Sequence, residues 1–239
     1  MCEDIVCGCL KCREHDMCTG RVPIFAGLSK EELISVSCLI TRKRYEKGES
    51  IMSEGSRSDK LILINKGKVK IFRHGSDGRE QILYILSDGD FLGERNLLKD
   101  RLSAYNAEAL DKVDLCMIGR MEFTGLLNRY PGIGIKIMEG LTDRMEQLED
   151  TLQSIGTKNA ENRISAMLVD FAERYGVPGK SGIMVDMPLS REGIANYIST
   201  ARETVSRKLN ALQDEGIIRL AGGKRIIIVD MEALKLYKM

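Results

Sequence analysis

Cysteines crowd the start of this 239-residue chain. Five of the seven lie within the first 18 residues, and three of those have the spacing Cys9-x2-Cys12-x5-Cys18. Such short spacings let one segment place several thiolates around a single centre, and soft thiolates favour zinc or an iron–sulfur cluster over hard cations. A [4Fe–4S] cluster takes four thiolates, commonly one of them from a distant position. Cys38 and Cys116 are both candidates for that distant ligand.

Zinc and redox-active thiols are the alternatives to an iron–sulfur cluster. Zinc sites more often contain two CxxC pairs, and this sequence has one such pair. A disulfide framework is less expected, because no basic-then-apolar signal peptide opens the sequence and the number of cysteines is odd. The spacing therefore favours an iron–sulfur cluster, with zinc second and redox thiols third.

The overall composition is that of a globular protein. Lys and Arg number 36 against 35 Asp and Glu, so the net charge of +1 means that any basic patch is local. No apolar run reaches the roughly 18 residues that span a membrane, and we expect a cytoplasmic protein that does not bind membranes. The sequence has no catalytic triad, phosphate loop or HExxH zinc motif, which predicts a protein that is not an enzyme.

The elements that must position the cysteines begin with a strand-rich region at about 40–120. Short apolar runs alternate there with Gly-containing turns, a pattern typical of an antiparallel barrel or sandwich. Asp77-Gly78 lies between two such runs and predicts a hairpin, because these residues tolerate a positive φ.

A long helix is predicted at about 131–156. Its apolar positions step alternately by three and four residues, which is the a/d pattern of a two-helix seam and predicts self-association. A helix packed on its own domain is the alternative. The predicted dimerisation residues are Met138, Leu141, Met145, Leu148, Leu152 and Ile155.

The last 80 residues or so contain two short amphipathic patterns that meet near Ser199, followed by two apolar runs around Gly222-Gly223. A helix-turn-helix followed by a hairpin is typical of a winged DNA-binding module. The second helix would place four side chains on one face for base contacts, with a lysine for the DNA backbone. The alternative is a solvated, salt-bridged face. The candidate DNA contacts are Arg202, Glu203, Ser206, Arg207 and Lys208.

Three segments together resemble the Crp/Fnr family of bacterial transcription regulators. They are Gly89-Asp90-Phe91-Leu92-Gly93-Glu94, Lys158-Asn159-Ala160-Glu161-Asn162-Arg163 and Arg202-Glu203-Thr204-Val205-Ser206-Arg207. The resemblance implies an α+β fold with an N-terminal cyclic-nucleotide-binding-like β-roll (a jelly roll), a long dimerisation helix and a C-terminal winged helix-turn-helix. The implied domains are a cysteine-rich cluster-binding segment at 1–20, the β-roll sensor at 21–130, the dimerisation helix at 131–157 and the DNA-binding domain at 158–239.

Within that family, the cysteines resemble the oxygen-responsive Fnr branch. The resemblance implies one [4Fe–4S] cluster per chain, bound by Cys9, Cys12, Cys18 and Cys116, with no role for Cys38. It also implies a homodimer that binds a palindromic site in double-stranded DNA, works with RNA polymerase and controls anaerobic or redox-responsive genes.

Two departures from the family patterns matter for function. Glu94 matches a residue of the cyclic-AMP pocket, but Leu102-Ser103 stands where that branch has an Arg-Ser pair, and the neighbouring Arg101 is a possible substitute. The alternative to a cluster is therefore the same scaffold gated by a small molecule or by thiol/disulfide chemistry. Arg202 matches the recognition helix of the cyclic-AMP branch. The preferred DNA half-site could therefore be TTGAT-like or TGTGA-like.

Overall fold

The computed structural model describes residues 22–99, 101–157 and 159–237. These residues form two compact units. The first holds the described residues up to Arg73 together with Ile85–Glu146. The second holds His74–Tyr84 and the described residues from Gln147 onward.

The strands predicted at 40–120 form two four-stranded antiparallel sheets, which confirms the predicted β-roll. The first sheet has the order β1-β8-β3-β6 and the second has the order β2-β7-β4-β5. The strands are β1 (Thr41–Tyr45), β2 (Ser50–Met52), β3 (Lys60–Lys66), β4 (Val69–His74), β5 (Glu80–Leu86), β6 (Phe91–Leu92), β7 (Asn106–Ala109) and β8 (Val113–Gly119). Leu61–Ile64 of β3 are buried without alternation, so this strand is covered on both faces.

Two glycines show why the turns of the β-roll need this residue. Gly78, in the turn between β4 and β5, has φ of +76° and donates its N–H to the Gly75 carbonyl at 3.0 Å, which confirms the predicted hairpin. Gly93 has φ of +89°, and a Cβ there would overlap the carbonyl oxygen of Lys60. Gly93 is therefore required both by its positive φ and by the close approach of the Lys60 backbone.

Helices and a short 3-10 turn precede, interrupt and follow the strands of the β-roll. They are the 3-10 turn Pro23–Phe25, α1 (Lys30–Ser37), α2 (Glu94–Lys99), α3 (Arg120–Arg129) and α4 (Pro131–Thr157). One apolar cluster joins Val22, the 3-10 turn, Cys116 of β8 and the start of α4 through Ile133 and Ile137. The beginning of the described chain and the long helix therefore share one core with Cys116.

The second unit contains the winged helix-turn-helix. Its elements are α5 (Ala160–Tyr175), β9 (Val177–Gly179), β10 (Gly182–Asp186), α6 (Arg191–Ile198), α7 (Arg202–Asp214), β11 (Ile218–Ala221), β12 (Arg225–Ile228) and α8 (Met231–Leu236). The strands form one sheet in the order β11-β12-β10-β9. Across the described ranges, no helix has the length and apolar character needed to cross a membrane.

Candidate DNA interface and sensor site

The turn between α6 and α7 is fixed by an arginine from another helix. α6 ends at Ile198, and its C-cap Ser199 has a left-handed φ of 54°. The guanidinium of Arg163 on α5 donates to the carbonyl of Ile198 at 3.0 Å and to that of Ser199 at 3.2 Å. These bonds satisfy carbonyls that the end of a helix leaves without partners. They tie α5 to the turn between the two helices of the helix-turn-helix.

The recognition helix α7 separates its side chains as its sequence predicts. Val205, Leu209 and Leu212 are buried against the rest of the unit. Arg202, Glu203 and Arg207 are exposed, and Ser206 is partly buried beside them. The structure therefore brings these four candidate DNA contacts to one accessible face. Arginine can bond guanine, and glutamate can accept from the amino group of cytosine.

Lys208 departs from the prediction of a contact with the DNA backbone. Its side chain is buried, with Nζ 4.0 Å from the ring centroid of Tyr237 and 4.0 Å from a carboxylate oxygen of Glu161. The physical reason is helical spacing, because Lys208 lies three residues after Val205 and four before Leu212, on the buried face. Lys208 therefore packs within its unit, and its contact with the DNA backbone stays a prediction.

Arg191 is a residue that the sequence reasoning missed. It is exposed at the start of α6, and its Nη1 donates to Oγ of Ser206 at 3.4 Å. In the sequence, Arg191 directly follows Ser190, a typical N-cap residue, and this place at the start of a helix could have identified it. The Oγ of Ser190 accepts a hydrogen bond from the Gly193 N–H at 3.1 Å. Arg191 adds a positive charge beside the exposed face of α7 and is a further candidate for a contact with a DNA phosphate.

The α4 residues predicted to mediate dimerisation form an apolar stripe in the single chain. Met138, Met145, Leu152 and Ile155 are 42–70% exposed, while Leu141 and Leu148 are partly buried. The adjoining face carries Ile133, Ile137 and Arg144, all buried, and partly buried Leu141 packs against the same apolar cluster as the two isoleucines. The helix therefore has a buried face, and the exposed apolar stripe runs along its edge. An exposed apolar stripe of this length suits a second helix with the same seam.

Of the four predicted cluster ligands, one can be placed. Cys116 is 2% exposed, on β8 opposite Leu63 of β3 and Arg42 of β1. Cys9, Cys12 and Cys18 lie outside the described residues. Cys38 is exposed at the end of α1. In the part of the chain that the structure describes, no group of three His, Cys, Asp or Glu side chains is arranged to hold a metal ion.

The position corresponding to the cyclic-nucleotide pocket holds a buried ion pair. Oε1 of Glu94 lies 3.3 Å from Nη1 of Arg144, with the side chains 5% and 10% exposed. Arg144 also donates through Nη2 to the Phe91 carbonyl at 2.7 Å, and its guanidinium lies 5.0 Å from the Phe91 ring centroid. The other glutamate oxygen is buried and has no hydrogen-bond partner among the described residues. Leu102 is 57% exposed.

Known proteins with this combination of domains are transcription regulators. Residues 42–130 match the cyclic nucleotide-binding domain, and residues 162–237 match the Crp-like helix-turn-helix domain. Electron transport regulator A of Shewanella oneidensis is 30% identical over 223 residues, which are 93% of this chain and 88% of that protein. The chain belongs to the Crp/Fnr family. Regulators of this family bind DNA through the helix-turn-helix domain and act as dimers.

Other relatives of this Crp/Fnr protein do not separate the branches of the family. The cyclic AMP receptor protein of Thermus thermophilus is 29% identical over 201 residues, which are 84% of this chain and 90% of that protein. The solved structure of FixK2 from Bradyrhizobium japonicum matches with a TM-score of 0.75 and 25% identity, covering 84% of this chain and 98% of that one. Membership of the family establishes the fold and DNA binding, but branches that respond to different signals share both.

Proposed function

We propose that this Crp/Fnr regulator is gated by an oxygen-sensitive [4Fe–4S] cluster and controls anaerobic or redox-responsive genes. The proposed ligands are Cys9, Cys12, Cys18 and Cys116. The observation that carries the proposal is that buried Cys116 shares an apolar cluster with Val22, the first described residue after the cysteine-rich segment.

The donor set and its surroundings fit such a cluster. Cys18 precedes Val22 by four residues, and a chain advances at most about 3.6 Å per residue, so this link reaches about 14 Å. Iron–sulfur clusters are bound by thiolates, and their reactivity depends on burial and exposure to solvent. The apolar side chains around Cys116 exclude water from that position. When bound, the cluster supplies an oxygen-labile link between the N-terminal segment and β8.

The long helix is placed to respond to changes around Cys116. Ile133 and Ile137 of α4 pack in the same apolar cluster as Cys116, together with Phe91. One and two turns further along, Gly140 approaches the Phe91 ring and Arg144 pairs with Glu94. A shift in this core therefore changes how α4 is held, and the exposed seam of α4 is the surface on which the dimer forms. Interfaces of this kind convert a local change into a population shift.

In the dimer, two copies of α7 would contact a palindromic site in double-stranded DNA. The exposed Arg202, Glu203, Ser206 and Arg207 would contact the bases, and the bound dimer would work with RNA polymerase. Half-sites one helical turn apart match the two-fold symmetry of such a dimer. Selection of duplexes from a random pool tests this directly. Enrichment of a palindrome with TTGAT-like or TGTGA-like halves is expected, and a pool without any palindrome would contradict the proposal.

Two cysteine substitutions test the gate. In protein purified without air, Cys116→Ser should abolish the iron and sulfide content, because it removes one of four ligands. Cys38→Ser is the matched control, since Cys38 is exposed and has no proposed role. Loss of iron in the Cys38 variant but not in the Cys116 variant would overturn the ligand assignment. Bound zinc in place of iron would overturn the cluster itself.

A small-molecule gate is the second candidate, and one observation favours it. The buried Glu94 oxygen without a partner would accept a hydrogen bond from a ligand hydroxyl. Metal-free protein titrated with cyclic AMP distinguishes the two candidates. Recovery of DNA binding in that sample would favour the ligand gate, whereas no recovery is expected for a cluster gate.

A further inference from the structure

A carboxylate from outside the helix-turn-helix lies against the recognition helix. Glu161, in the first turn of α5, places Oε1 3.3 Å from Nη2 of Arg207. Its second oxygen lies 4.0 Å from Nζ of Lys208. One acidic side chain is therefore held between two consecutive cations of α7.

The two cations differ in their exposure to solvent. Lys208 is buried, and its ammonium also lies over the Tyr237 ring at 4.0 Å. The side chain of Arg207 is 70% exposed on the accessible face of α7, and that of Glu161 is 43% exposed. Glu161 thus pairs with a buried cation on one side and contacts the exposed guanidinium of Arg207 on the other.

We propose that Glu161 is a positioning residue that makes Arg207 selective for a base edge over DNA phosphates. This proposal rests on the DNA-binding function of the family and on the exposed position of Arg207. The guanidinium has five N–H donors, and the contact with Glu161 engages one nitrogen, leaving the other N–H groups for a guanine. Holding the guanidinium plane in place also reduces the freedom that base recognition must remove.

Glu161 has a second effect, on charge. Its carboxylate offsets one of the two adjacent positive charges, which weakens the attraction of this surface to any phosphate. Affinity from phosphate contacts is independent of sequence and strongly dependent on salt. Base contacts by Arg207 supply sequence discrimination. Glu161 therefore lowers non-specific affinity and raises the ratio of specific to non-specific binding.

The test compares Glu161→Gln with the matched control Glu232→Gln. Glu232 forms an exposed ion pair with Lys235 on α8, so both variants lose one carboxylate from an ion pair in the same unit. Affinities are measured for the selected duplex, for the same duplex with its guanine positions changed, and for a random duplex, at several salt concentrations. Glu161→Gln should bind the random duplex about three- to tenfold more tightly, with a salt slope steeper by about 0.9. It should discriminate guanine about tenfold less well.

An Arg207→Ala background tests whether Glu161 acts through Arg207. In an Arg207→Ala background, Glu161→Gln should no longer change guanine discrimination, because the positioned side chain is missing. Equal changes in Glu161→Gln and Glu232→Gln would overturn the proposal. So would a parallel rise in affinity for every duplex with an unchanged ratio, or a lower melting temperature with unchanged affinities. Failure of the wild-type protein to select any duplex would instead contradict the proposed function.

Discussion

Replacing Arg144 with methionine should be among the most destabilising single changes in the β-roll unit. The substitution leaves the Glu94 carboxylate 95% buried without its cation and removes the donor that reaches the Phe91 carbonyl at 2.7 Å. Removing one partner of a buried ion pair typically costs about 3–5 kcal/mol, because the remaining charge has lost its compensation. Methionine fills a similar volume, so little of this cost comes from a cavity.

Glu94→Gln provides the comparison that isolates the charge. The glutamine oxygen still accepts from Arg144, so we expect a cost of about 1–2 kcal/mol. The double variant should be about 2 kcal/mol more stable than Arg144→Met alone, since no uncompensated carboxylate remains. Urea unfolding at one fixed protein concentration measures these differences, because dimerisation makes stability depend on concentration. A cost below about 1 kcal/mol for Arg144→Met would refute the importance of this pair.

Three further predictions follow from particular positions. Gly93→Ala should lower the free energy of unfolding by about 3 kcal/mol or more, because a Cβ there would overlap a backbone carbonyl. Gly78→Ala, where a Cβ would meet open space, should lower it by about 1 kcal/mol. Equal costs for the two variants would contradict this. Burial raises the pKa of Tyr197 to about 12, so its contribution to stability is complete below pH 10 and is lost between pH 10 and 12. Between pH 10 and 12 the wild-type free energy of unfolding should fall by about 3 kcal/mol more than that of Tyr197→Phe. An identical pH profile for the two proteins would refute this. Leu152→Glu should weaken dimerisation by about a hundredfold or more in sedimentation measurements. The control Ile34→Glu, on the exposed side of α1, should leave dimerisation unchanged. An unchanged dimer affinity in Leu152→Glu would contradict the assignment of the α4 stripe as the dimer interface.

Periodicity predicted the elements of this protein well, because it records which face of a helix or strand is buried. The seam positions on α4 and the exposed face of α7 both follow from counting by three and four. The same counting places Lys208 on the buried face, although its charge alone suggested a contact with the DNA backbone. A long side chain can bury its stem and still reach an acidic partner.

Contacts between distant parts of the sequence could not be predicted in this way. Glu94 and Arg144 are 50 residues apart, and Glu161 and Arg207 are 46 apart. Nothing in local spacing identifies such partners, because the fold alone brings them together. Cys116 shows the same limit. Its type made it a candidate ligand, but its burial beside Val22 depends on how β8 and the N-terminal turn pack.

Control of DNA binding by one cluster can be tested in a single oxygen-exposure experiment. Protein prepared without air is analysed for iron and sulfide, bound to its selected duplex and then exposed to air while visible absorbance and DNA affinity are followed together. We expect about four iron atoms per chain and a loss of DNA affinity at the same rate as the loss of absorbance. Full DNA affinity in air after the iron is gone, or a preparation that binds DNA without iron, would contradict it.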